Sequence, residues 1–158
     1  GIIVGDENLV DILSRHPMSR AVRIDKLSLA ALSTTLMHYV KEEAVSQIPV
    51  WRMVNASLEE IESRVRFWVE ALDDSVSVVP CDSTIGGGSL PGEIIPSWAL
   101  SIPAKTVDGG AKKLAEDLRQ GQTSVIGRIE NEQVFLDPRT VLPEEDEQLV
   151  KAVSLVLE

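Results

Sequence analysis

The stretch from Ser124 to Asp137, SVIGRIENEQVFLD, decides the fold of the second half of the chain. Apolar residues, mostly β-branched or aromatic, are concentrated in Ser124–Ile129 and in Gln133–Asp137, which predicts two β-strands. The polar residues Glu130, Asn131 and Glu132 lie between these strands and predict a tight turn. We therefore expect an antiparallel hairpin here.

The segments on both sides of this hairpin predict a small α/β domain. Ser57-Leu58-Glu59-Glu60 has the form of a capping box and predicts the start of a helix. The elements predicted after it are strands over Val76–Val79 and Trp98–Ile102, a helix over Ala111–Arg119, the hairpin, and a last helix beginning at Pro143. This α-β-β-α-β-β-α order predicts a small antiparallel sheet with helices on one face, which we assign to residues 51–158.

The preceding residues, 1–50, predict a different organisation. The elements expected there are a buried strand over Gly1–Gly5, a helix over Asp6–Arg15, a short strand over Ala21–Ile24 and a helix over Lys26–Val40. Asp25 is placed to cap the last helix, whose many apolar residues predict burial on more than one side. Because a domain seldom begins directly with a core strand, we expect the chain to be part of a longer protein.

Composition limits the possible functions. The chain has 158 residues, with 25 acidic against 15 basic ones, and a formal net charge of −10. Such a charge argues against binding of a nucleic-acid backbone by this chain alone. Its single cysteine, Cys81, excludes an internal disulfide, and no apolar run is long enough to span a membrane. These features predict a cytoplasmic protein without membrane contact.

Few residues in the sequence are candidates for chemistry. His16 and His38 lack the spacing of a metal site, and neither a nucleophile elbow nor a phosphate-binding glycine-lysine loop is present. Lys26 differs from the other five lysines because it follows a short apolar segment at the first turn of an apolar helix. The helix dipole, partial burial and the charges of Arg20 and Arg23 would favour the free amine that a nucleophilic lysine needs. The alternative interpretation is an ordinary solvated lysine.

The segment around this lysine resembles a known family. His16–Leu32, HPMSRAVRIDKLSLAAL, is similar to the cofactor-lysine segment of the bacterial L-seryl-tRNA(Sec) selenium transferases, or selenocysteine synthases. Further similar segments occur in order along the chain: GIIVG at 1–5, GGGSLPGE at 86–93, PSWAL at 96–100, VIGRI at 125–129 and LDPRTV at 136–141. The resemblance therefore covers essentially the whole chain.

This resemblance implies a fold and an activity. The family has the aspartate-aminotransferase fold (fold type I) and uses pyridoxal 5'-phosphate. The resemblance implies that Lys26 binds this cofactor and is also the catalytic lysine. Residues 1–50 would be the end of the cofactor-binding large domain, and 51–158 the C-terminal small domain. The implied reaction converts L-seryl-tRNA(Sec) to L-selenocysteinyl-tRNA(Sec) with selenophosphate, in an enzyme that self-associates into dimers and larger rings.

The resemblance also implies substrate-binding residues. Arg52 would bind the anionic selenium donor, or else be an ordinary surface arginine. Gly87, Gly88 and Ser89 would present backbone amides to the substrate, or else form a flexible link between two strands. Only 25 residues precede Lys26, so most of the cofactor cage would lie outside this chain, and we expect the fragment to be inactive alone.

Two other functions remain open. One is a related pyridoxal-phosphate lyase that acts on a small amino-acid or sugar-acid substrate and uses Lys26 without tRNA. The other is a non-catalytic interaction module in which Lys26 has no role. Trapping of the cofactor on Lys26 would exclude the interaction module. A basic helical domain at the start of the full gene would favour tRNA, and its absence would favour the lyase.

Overall fold

A computed structural model describes residues 2–72, 75–86, 92–103 and 108–158. The chain divides into two compact units, residues 1–44 and 45–158. The prediction that residues 1–50 end a cofactor-binding large domain is not tested by this division and stays a prediction.

The first unit contains three helices within its described residues. They are α1 (Glu7–Arg15), α2 (Met18–Ala21) and α3 (Lys26–Val40). The helices predicted over Asp6–Arg15 and Lys26–Val40 are confirmed, with Asp6 and Asp25 as their N-caps. The predicted strands are wrong, because Ile2–Gly5 is irregular and Ala21 ends a helical turn. Neither segment has a neighbouring strand to pair with among the described residues of this unit.

Apolar side chains of α3 are exposed, contrary to the predicted burial. Leu27 is 84% exposed and Leu29 is 50% exposed, and no residue of this helix is buried. The prediction assumed a second layer on each side of the helix. The described part of the first unit supplies no such layer, so this apolar surface faces solvent within the chain.

The second unit holds the hydrophobic core. Its helices are α4 (Ala44–Gln47, which begins at the unit boundary), α5 (Pro49–Asn55), α6 (Leu58–Glu70), α7 (Gly110–Gln120) and α8 (Asp146–Leu157). Its strands are β1 (Ser77–Thr84), β2 (Ile94–Pro103), β3 (Arg128–Glu130) and β4 (Gln133–Leu136). Two 3₁₀ turns, Pro138–Thr140 and Pro143–Glu145, precede α8. The predicted α-β-β-α-β-β-α order is confirmed.

The four strands form one antiparallel sheet in the order β1-β2-β4-β3. Leu100 and Ile102 of β2 pair with Leu136 and Val134 of β4, so these four side chains lie on one face. They are buried in a cluster with residues of α6, α7 and α8, including Trp68, Leu114 and Val153. The helices therefore cover this face, as the sequence predicted.

Strand lengths differ from the predicted ones for identifiable reasons. β1 contains Pro80 and β2 contains Pro96, and proline argues against a strand in a sequence pattern. Both are tolerated here, since β1 is an edge strand and β4 pairs with β2 only from Leu100 onward. The predicted strand over Ser124–Ile129 is shortened to β3, because Val125 N–H donates to the Leu118 carbonyl at 2.9 Å rather than to a strand.

The hairpin between β3 and β4 is confirmed. Glu130 pairs with Gln133, and the two residues between them, Asn131 and Glu132, have φ angles of 49° and 59°. Two successive left-handed residues match the twist of antiparallel strands, which is why two-residue hairpins favour this conformation.

Gly127 is the position of closest backbone approach at this hairpin. A Cβ atom there would lie 2.7 Å from Val134 Cγ1, 2.8 Å from Leu136 Cδ2 and 2.9 Å from the Phe135 carbonyl oxygen. We expect Gly127→Ala to lower the free energy of unfolding by about 1–3 kcal/mol, because the β4 backbone would have to shift. Urea denaturation checks this result. Gly5→Ala is the control, since its Cβ would meet nothing within 4 Å, and equal midpoints for both variants would contradict the expectation.

Candidate functional site

Lys26 is the first residue of α3, and Asp25 caps this helix. The Asp25 carboxylate accepts hydrogen bonds from the backbone N–H groups of Leu27 and Ser28, each at 2.9 Å, and from Ser28 Oγ at 2.6 Å. The Ser28 hydroxyl, followed by the backbone N–H groups, holds the pKa of Asp25 below its usual value. The Asp25-Lys26-Leu27-Ser28 sequence thus determines where α3 begins, and the Asp25 carboxylate points toward the N–H groups at this N-terminus.

This capping leaves the Lys26 amine without a partner among the described residues. Lys26 is exposed, and the carboxylate next to it in sequence is committed to the cap. The predicted partial burial of Lys26 is wrong for this chain, because the described part of the first unit supplies no layer that covers α3. What remains is an accessible primary amine, which is the group that condenses with an aldehyde.

A depression in the first unit is lined by basic side chains. Arg15, His16, Arg20 and Arg23 line it together with Ser14, Pro17 and Ser19. Arg15 Nη2 is 2.8 Å from Asp11 Oδ2, which leaves Arg20 and Arg23 as the arginines of this lining without a carboxylate partner among the described residues. Ser19 Oγ is 3.0 Å from the Ser14 carbonyl oxygen, to which its single hydroxyl proton can be donated, and this contact ties the turn to the preceding helix. From the sequence, Arg20 and Arg23 were expected only to act on the charge of Lys26. Their shared depression suits an anionic group.

Arg52 lies in α5, in the second unit, and its side chain is 38% exposed. Its Nη2 atom is 3.4 Å from the Glu144 Oε2 atom. The Glu144 carboxylate comes from the 3₁₀ turn Pro143–Glu145, far away in sequence. The structure therefore gives Arg52 a specific partner, Glu144. No local pattern in the sequence indicated this pair.

Arg139 holds the segment that follows Arg52. This arginine is only 5% exposed, and its Nη1 donates to the carbonyls of Met53 at 2.9 Å and Ala56 at 3.0 Å. Its Nη2 donates to the Pro96 carbonyl of β2 at 2.8 Å. These bonds satisfy carbonyls at the end of α5 that the helix leaves unpaired, and they join α5 to the sheet. Sequence reasoning missed this role, although Arg139 lies in the family-like segment LDPRTV.

The carboxylate of Asp137 is bound by polar side chains of β1 and β2. Its carboxylate accepts hydrogen bonds from Ser97 Oγ at 2.9 Å and from Ser83 Oγ. Cys81 Sγ lies 3.9 Å from the same carboxylate. Burial, followed by the negative charge of Asp137, raises the pKa of the Cys81 thiol. A reactive cysteine needs a lowered pKa, so this environment disfavours Cys81 as a nucleophile.

The remaining predicted site residues, Gly87, Gly88 and Ser89, lie outside the described residues. Gly86, which precedes them, has a φ of 130°, a conformation that favours glycine. Of the other predicted site residues, Lys26 belongs to the first unit and Arg52 to the second.

Two further kinds of function, metal binding and membrane insertion, lack support in residues 2–72, 75–86, 92–103 and 108–158. No group of three or more His, Cys, Asp or Glu side chains there could hold a metal ion. None of the helices formed by these residues has the length and apolar content needed to cross a bilayer.

Comparison with known proteins gives a consistent result. A family model described as L-seryl-tRNA selenium transferase matches residues 1–142. The chain is 39% identical to the L-seryl-tRNA(Sec) selenium transferase of Moorella thermoacetica over 165 aligned residues, which cover 100% of this chain and 35% of that protein. It is 37% identical to the protein of the same name from Carboxydothermus hydrogenoformans, over 92% of this chain and 32% of that protein. The chain spans about a third of the length of these curated relatives.

Proposed function

The chain belongs to the L-seryl-tRNA selenium transferase family, and from this premise we propose that the full-length protein converts L-seryl-tRNA(Sec) to L-selenocysteinyl-tRNA(Sec). The observation that carries the proposal is the family match over residues 1–142, together with 39% identity that extends over the whole chain. Selenophosphate is the proposed selenium donor. The cytoplasm is the proposed location, and self-association into dimers or larger rings is proposed as well.

Pyridoxal 5'-phosphate is the proposed cofactor, with Lys26 as the residue that binds its aldehyde. This cofactor requires a lysine amine, a cationic site for its phosphate, an acid near the ring nitrogen and a group stacked on the ring. The exposed amine of Lys26 fits the first requirement, and the depression lined by Arg20 and Arg23 offers the kind of charge the second needs. The acid and the stacking group would come from residues outside this chain.

The large domain of fold type I is the proposed source of those missing groups. Fifteen large apolar residues between Ile2 and Val40 are exposed, including Leu9, Ile12, Leu27 and Met37. Burial of such a surface is favourable at roughly 25 cal/mol per Å², which supports a covering layer supplied by the full-length protein. Residues 1–50 would then complete the large domain, and 51–158 would form the C-terminal small domain.

The described residues have distinct proposed roles in the reaction. When bound, pyridoxal phosphate supplies an electron sink that acidifies the seryl α-proton and allows the hydroxyl group to leave. Lys26 would accept the proton at Cα and return it after selenium has added, because a lysine amine in its neutral form is a general base. Asp25 would position this amine through the cap of α3.

Substrate binding is proposed for residues of the second unit. The Arg52 guanidinium would bind the anionic selenium donor, because planar N–H donors suit phosphate-like oxygens. Gly87, Gly88 and Ser89 would bring backbone amides close to the seryl end of the tRNA. Without the residues outside this chain, the 158-residue fragment is proposed to be inactive.

A direct assay tests the proposed function. We expect the full-length protein, loaded with pyridoxal phosphate, to form selenocysteinyl-tRNA from seryl-tRNA(Sec) and selenophosphate. Free L-serine replaces the charged tRNA in the control reaction and should give no product. Turnover of free serine without tRNA would favour the lyase instead, and no turnover of either substrate would contradict the proposal.

A further inference from the structure

The guanidinium of Arg52 contacts one carboxylate among the residues that the structure describes. Within the described ranges, its partner is Glu144, through a single contact of 3.4 Å between Nη2 and Oε2. An arginine side chain carries five N–H donors in a planar fork. Most of these donors therefore remain available to an oxyanion that approaches Arg52.

The elements that carry the two side chains are each fixed to the same small domain. The end of α5 is held by Arg139 through the carbonyls of Met53 and Ala56. The 3₁₀ turn that carries Glu144 lies between Val141 and Asp146, and Arg64 binds both of these residues. It donates to the Asp146 carboxylate at 2.6 and 2.9 Å and to the Val141 carbonyl at 3.0 Å. The meeting of Arg52 and Glu144 is thus set by two anchored segments, although both side chains remain partly exposed.

The contact itself is weak enough to be displaced. The two side chains are 38% and 63% exposed, and an exposed ion pair with one long contact is screened by water and salt. A phosphate-like anion that makes two parallel hydrogen bonds to the guanidinium would replace it with a stronger interaction.

We propose that Glu144 competes with the anionic selenium donor for Arg52 and thereby sets the affinity of the site for its anion. This inference rests on the proposed role of Arg52. An incoming anion must move the Glu144 carboxylate aside and tolerate its negative charge nearby.

Glu144→Gln tests the competition because it removes the charge and keeps the shape of the side chain. In the full-length enzyme we expect KM for selenophosphate to fall by about 3- to 10-fold with kcat unchanged, as loss of a competing charge affects ground-state and transition-state binding alike. Glu147→Gln is the matched control, since it removes an exposed charge in α8 that has no partner among the described residues. Its KM should stay at the wild-type value.

A second measurement separates this inference from the proposed function. Inorganic phosphate is titrated into the ¹⁵N-labelled 158-residue chain while the Arg52 Nε–H resonance is followed by NMR. We expect tighter phosphate binding at Arg52 in Glu144→Gln than in the wild type or in Glu147→Gln. Tighter phosphate binding without any selenium transfer by the full-length protein would support the competition and contradict the proposed function. Equal phosphate affinity and equal KM in both variants would overturn the inference, even if the enzyme is active.

Discussion

Lys26→Ala in the full-length protein is expected to reduce formation of selenocysteinyl-tRNA by about 10²–10⁴-fold or more, because the amine that would hold the cofactor and move the α-proton is lost. The fold should be unaffected. Lys26 is exposed and has no partner among the described residues, and the cap of α3 depends on Asp25 instead. Single-turnover assays measure the rate, and circular dichroism with urea unfolding measures the fold.

Lys41→Ala is the control for this variant. Lys41 is an exposed lysine at the other end of α3, with only a 3.8 Å contact to Glu43. Its loss removes the same charge from the same helix and should leave turnover near the wild-type rate. Near-normal product formation by Lys26→Ala, with its fold intact, would show that another group performs the chemistry.

Arg139→Ala is expected to destabilise the second unit by about 3–5 kcal/mol, which is a large part of the stability of a typical domain. The guanidinium is buried and donates to the carbonyls of Met53, Ala56 and Pro96. Its removal leaves these acceptors without partners in a region from which water is excluded. Urea unfolding followed by tryptophan fluorescence measures the loss, because Trp68 and Trp98 lie in or against the core.

Arg119→Ala controls for the loss of one positive charge. Arg119 is exposed in the last turn of α7 and has no partner among the described residues. Its substitution should change the free energy of unfolding by less than about 0.5 kcal/mol. Similar unfolding midpoints for the Arg139 and Arg119 variants would mean that the buried arginine does not hold α5 to the sheet.

Local signals in the sequence were sufficient to predict much of the fold. The caps at Asp25 and Ser57 use side-chain oxygens that bind N–H groups two or three residues ahead, so a short pattern determines them. The turn at Asn131 and Glu132 is likewise specified by the polar residues between two apolar runs. Such features depend on neighbours in the chain, and the sequence displays those neighbours directly.

Features that depend on distant residues could not be predicted in this way. Arg139 binds carbonyls 43 to 86 residues away, and Arg52 meets Glu144 across 92 residues. No periodicity or spacing indicates such pairs. The exposure of α3 was missed for a different reason. Its apolar pattern indicates a buried helix, but the described part of the first unit contains no layer that covers it.

The central claim is that Lys26 is the cofactor lysine, and reduction with borohydride tests it most directly. The full-length protein is loaded with pyridoxal phosphate, reduced with sodium borohydride and digested, and the modified peptide is identified by mass spectrometry. We predict a phosphopyridoxyl group on the peptide that contains Lys26. A modification on a different lysine, or none on a protein that binds the cofactor, would contradict the account.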